Sequence, residues 1–116
     1  MDNTGDFYSL DVGSIPASRT KGQYMNDKIR ETLVITQEEC AEVIQEVSKI
    51  FRFGIDEMHK SGVVHRAKLN EEVGDLLCMI DLLKEQGLLN QQDLDAAKEA
   101  KRQKLMIWSK IFVDNN

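Results

Sequence analysis

The chain has 116 residues, the size of one domain, and its 41% hydrophobic and 30% charged residues exclude both wholesale disorder and a membrane-embedded class. Fifteen Lys and Arg against 20 Asp and Glu leave a net charge of −5, a surface that repels nucleic-acid polymers. A single proline and seven glycines point to an all-α fold, since sheet-rich domains of this size need more turn residues.

The opening stretch, residues 1–25, holds Gly5, Gly13, Gly22 and Pro16 without periodicity and is expected to be an irregular arm anchored by Phe7, Tyr8, Leu10 and Ile15. MDNTGDFYSLDVG lacks the basic start and apolar core of a secretory leader, and no apolar run approaches the ~20 residues of a membrane span. Cys40 and Cys78 are too few for a disulfide scaffold or a zinc site. The expectation is therefore a cytoplasmic protein without membrane partners.

Residues 26–113 read as one helical domain. Ile29, Leu33, Cys40, Ile44, Val47 and Phe51 recur at helical spacing and predict a first helix from Asn26 to Phe53, stopped by Gly54. IDEMHKSG reads as a connection closed by Gly62. His59 and His65 flank it without a partner motif and read as surface positions. A second helix is expected from Val64 to Gln86, with Leu69, Val73, Leu76, Ile80 and Leu83 on its main face and Gly87 as its stop. Asn90, with Asp93 three residues on and Leu89 and Leu94 as a staple, opens a third helix running to about Phe112. The run Leu76–Leu83 (LLCMIDLL) is apolar nearly all round. Its second face, Cys78 and Leu82, is expected to pack against another copy, with a fourth helix from the arm as the alternative. The predicted architecture is a bundle of antiparallel helices completed by oligomerisation.

Two acidic clusters carry the chemistry: Glu38, Glu39 and Glu42 on the first helix, Glu72 and Asp75 on the second. On helical wheels Glu39 and Glu42 lie about 80° and 140° from the apolar stripe, and Glu72 and Asp75 about 70° and 130°, all in one rotational sense. In an antiparallel pair, offsets of equal sign meet along one rim, so Glu39, Glu42, Glu72 and Asp75 are predicted to converge. Crowded carboxylates must take up protons or hold cations. Oxygen donors alone favour Mg²⁺ or Mn²⁺, and di-iron is disfavoured because Gln45 and Asp75 stand where a Glu-x-x-His motif needs histidine. The competing reading is an ordinary solvated acidic face. Against it stand the matched offsets and the lack of any Lys or Arg between Glu31 and Lys49.

The third helix carries five basic residues against one acid between Lys98 and Lys110. Lys101 falls in the series Leu94, Ala97, Lys101, Leu105, Trp108. It either snorkels or, with Lys98 and Lys104, contacts substrate phosphates. Cys40 reads as a small core residue rather than a nucleophile.

EECAE at Glu38–Glu42, 29 intervening residues, then EVGD at Glu72–Asp75 resembles the EExxE…ExxD signature of the MazG-like all-α nucleoside triphosphate pyrophosphohydrolases. ITQEECAEVIQEVSKIFRFG, RAKLNEEVGDLL and AKRQKLMIWS are similar to the motif helices and basic last helix of small phage-type members. The resemblance spans about residues 29–110 and implies a cytoplasmic location in the host if the source is viral. It further implies a homodimer or tetramer that hydrolyses a (d)NTP to (d)NMP and pyrophosphate, with two or more Mg²⁺ (or Mn²⁺) ions per site. Glu39, Glu42, Glu72 and Asp75 match the metal ligands. Glu38 matches the leading acid, and Glu38 or Glu42 would take the water's proton. The alternative function is a non-catalytic helical dimerisation or regulatory module. Base and sugar preference stay open.

Overall fold

The computed structural model describes residues 25–58 and 61–114. All but one residue of the expected arm, and His59, lie outside these. Three helices account for most of the described chain: α1 Asp27–Phe53, α2 His65–Glu85 and α3 Gln91–Trp108. Among the described residues no strand forms, only an isolated bridge between Met58 and Val64. No helix there is long and apolar enough to cross a membrane.

Local chemistry sets the boundaries. The Asn26 side chain accepts the Ile29 N–H at 2.8 Å and opens α1. Gly54 ends it at φ +104°, a left-handed conformation that a side chain would strain. In the connection, the Arg66 guanidinium grips Asp56 through two hydrogen bonds of 2.8 and 2.9 Å. At the end of α2, the Leu88 N–H reaches the Leu83 carbonyl and the Gly87 N–H that of Lys84, both at 3.0 Å, with Gly87 at φ +82°. That is the pattern of a glycine-terminated helix. Asn90 caps α3 by accepting the Asp93 N–H at 2.8 Å. The helix stops at Trp108 rather than near Phe112. Ser109 adopts extended backbone, and its hydroxyl donates to the Leu105 carbonyl at 2.8 Å while accepting the Ile111 N–H. The local hydrogen bonds of this serine compete with another turn of helix.

α1 and α2 pack side by side. A Glu46–His65 contact at one end and a Thr32–Gln86 contact at the other show that they run in opposite directions. Their seam repeats every seven residues: Thr32, Glu39, Glu46 and Phe53 on α1, and His65, Glu72, Met79 and Gln86 on α2. Of these, Thr32, Glu46, His65 and Met79 are buried, and Leu83 beside them completes a small core.

This seam corrects the sequence reading. The predicted α1 stripe is turned away from α2: Cys40 is exposed, Ile44 is 69% and Phe51 86% exposed. The seam instead passes through Glu39 and Glu72, a rotation of about 80° on α1 and 70° on α2 in the same sense. Both predicted stripes are offset toward one rim, Leu33, Cys40, Ile44, Val47 and Phe51 on α1 and Val73 and Ile80 on α2, although Leu83 of the predicted α2 face stays buried in the core. Polar pairs close the seam at two levels, Thr32 with Gln86 and Glu46 with His65. His65, read as a surface residue, is buried against Glu46. Leu82 is half-buried and Cys78 exposed, whereas Leu77 is the large apolar residue that α2 leaves in water. Along α3 no residue is buried. It meets α2 across an open groove lined by Leu77, Ile80, Leu94 and Ala97, with a Lys84–Gln91 hydrogen bond of 2.7 Å near the turn.

Candidate functional site

Glu39 projects from the middle of α1, and Glu72 and Asp75 from adjacent turns of α2. One carboxylate oxygen from each lies within 4.8 Å of the other two. The rotation of both helices puts Glu39 and Glu72 on the seam itself, half-buried, while Asp75 sits about 60° round on the rim and is exposed. Glu42 occupies the corresponding rim position on α1. Its charge is felt by both Glu39 and Glu72, although it stands outside the tight group of three. Glu38 is exposed and acts on Glu39 through its charge alone.

Crowding shows in the proton affinities. The Glu39 carboxyl is raised above its ordinary value, first by partial burial and then by Asp75, Glu42 and Glu38. Glu72 is raised by partial burial and by Glu42, against the opposing pull of Lys68, with Asp75 and Glu71 adding to the rise. Lys68 reaches Glu71 at 3.5 Å and Glu72 at 3.8 Å and is the cation nearest the cluster among the described residues. Oxygens on a single Mg²⁺ stand about 3 Å apart when adjacent and about 4.2 Å apart when opposite, so the three carboxylates would draw closer together to hold such an ion. The donors are oxygen only, since the nearest described histidine is held in the Glu46 layer. That donor set suits a hard divalent cation.

The lysines of the third helix fall elsewhere. Lys98 and Lys101 line the groove between α2 and α3, and Lys104 does not. All three are exposed, and among the described residues no ion pair joins them to the acids. The Glu46–His65 layer escaped the sequence reading. Its signal was the seven-residue step from Glu39 to Glu46 and from His65 to Glu72, which places all four on the same seam.

No family model, curated protein or solved structure matches the chain.

Proposed function

We propose that the chain is a metal-dependent nucleoside triphosphate pyrophosphohydrolase that releases a nucleoside monophosphate and pyrophosphate. The observation that carries this reading is the convergence of Glu39, Glu72 and Asp75, which belong to two helices and two separate motifs, with Glu42 beside them. The resemblance of EECAE and EVGD to the MazG-like signature supports it. Bound there, Mg²⁺ or Mn²⁺ ions would neutralise the triphosphate and lower the pKa of an attacking water. In this reading Glu39, Glu72 and Asp75 hold the cation, with Glu42 completing the ligand set from the rim. Glu38 or Glu42 accepts the water's proton, since both are carboxylates at the open side of the cluster. Lys98 and Lys101, from the α3 groove of the same chain or of a second copy, contact the phosphates, joined by Lys104. A second copy seated on the apolar rim completes a four-helix bundle.

The test is a panel of canonical and modified nucleoside triphosphates with Mg²⁺ or Mn²⁺, the products separated by chromatography. Monophosphate and pyrophosphate as first products support the reading. Nucleoside diphosphate with orthophosphate would contradict it. The wide exposed apolar rim favours one other reading, a dimerisation or regulatory module, which predicts neither turnover nor a thermal shift with Mn²⁺ and nucleotide.

A further inference from the structure

Three like-charged groups drawn from two helices push those helices apart, so something else must hold the seam closed at that height. Two cross-helix contacts bracket the carboxylate layer, each two turns away along α1: Thr32–Gln86 at 2.9 Å on one side and Glu46–His65 at 2.8 Å on the other. The second is the stronger clamp. Both partners are 3% exposed, and the imidazole stacks on the Phe53 ring at a centroid distance of 5.7 Å. A hydrogen bond to a carboxylate is directional and strengthened by exclusion of water, so this layer fixes the distance and rotation of α1 against α2 where an apolar pair would tolerate sliding.

We infer that Glu46 and His65 are positioning residues that set the spacing of Glu39 against Glu72 and Asp75. Their role as regards a metal rests on the reading under "Proposed function"; their role as a clamp does not. The pair fixes a separation that electrostatics alone would widen. It does so from within the helix pair, with no contact to substrate.

Two measurements on the full chain test this. Cys78 is exposed on α2 and takes a spin label directly. Cys40 lies on the rim that a second copy would cover, so it is replaced by alanine and the α1 label is placed at the exposed Ser48 position (Ser48→Cys). Electron-paramagnetic-resonance distances, with labelled chain diluted by unlabelled, then report the helix separation. The informative variant is Glu46→Met with His65→Leu, because replacing a buried pair by apolar residues on both sides generally leaves the fold intact. Its distance distribution is expected to broaden, and its Mn²⁺ affinity to fall by about 10–100-fold, the usual effect of losing a residue that orients a ligand. His65→Asn keeps an N–H donor near the position of Nδ1 and should restore both properties. A merely structural role would shift the melting temperature and leave Mn²⁺ affinity unmoved. An unchanged distance distribution in the double variant overturns the clamp, and a broadened one with unchanged affinity overturns the positioning role. If the unmodified chain binds no Mn²⁺, the metal reading fails while the distance measurement still decides the clamp.

Discussion

The apolar rim yields a prediction whose size follows from exposure. On α1, Ile44 is 69%, Val47 38% and Phe51 86% exposed. Together they leave the equivalent of about two large side chains in water, and covering these would stabilise an assembly by about 3–6 kcal/mol per copy. A two-fold dimer counts that gain twice, about 6–12 kcal/mol, before Leu33, Val73 and Ile80 contribute. Association costs about 4–15 kcal/mol in lost freedom, and a micromolar dimer needs a surplus of about 8 kcal/mol. The three residues thus offset the cost of association at its lower end, and a micromolar dimer draws the remainder from the half-buried Leu33, Val73 and Ile80. Ile44→Lys with Phe51→Lys removes most of the three-residue total, about 5–9 kcal/mol per dimer, which weakens association by more than about a thousandfold. Sedimentation velocity across a concentration series reads this directly. An unmodified chain that stays monomeric at tens of micromolar, or a double variant that associates as well as the parent, would refute the reasoning.

Glu39→Gln and Asp75→Asn are each expected to abolish nucleotide turnover while leaving the melting temperature unchanged or higher, because removing one crowded anion relieves repulsion. Near-normal activity of either variant under saturating metal would remove the assigned site. The metal-free chain should also carry a pH signature. Glu39 and Glu72 hold protons more tightly when folded than when unfolded, so their contribution to stability is complete below the ordinary carboxylate pKa and is lost as pH rises through their raised values. Asp56, lowered by its hydrogen bonds to Arg66, works in the opposite sense but is largely exposed. The stability advantage of a Glu39→Gln, Glu72→Gln variant over the parent should therefore grow as pH rises from the ordinary carboxylate range through the raised values of the pair, and thermal melts across a pH series would show it. A difference independent of pH would refute the electrostatic account.

How far the sequence could be read depended on whether the deciding chemistry was local. Asn26, Gly54, Gly87 and Asn90 marked helix ends because each acts on its own turn, and all four boundaries they imply fall within a residue or two of those observed. Ser109 ended α3 early through equally local bonds, but a lone serine is a weak signal beside Ile111 and Phe112. The orientation of α1 was harder. Hydropathy identified a real apolar stripe, and it took the stripe for the intramolecular contact. The helix pair instead closes on Thr32, Glu46, His65 and Gln86, whose favourable energy comes from hydrogen bonds across the seam that no single helix displays. The carboxylates still converge because the seam is offset from the predicted face in the same sense on both helices, although α2 keeps Leu83 of that face buried. Rotating both by similar angles in one sense preserved the matched offsets and moved Glu39 and Glu72 inward.

The third helix has a consequence for concentration dependence. Its 18 residues include none that is buried, and isolated helices of about this length are only marginally ordered in water. Its stability is therefore tied by mass action to whatever covers Met106, Ile107 and Trp108, which are 53%, 73% and 82% exposed. Amide hydrogens of α3 should exchange faster on dilution while those of the α1–α2 seam keep their protection. In a chain that assembles, the lysines on this helix would gain fixed positions as the protein becomes more concentrated, so the number of chains present would govern how well ordered the basic surface is.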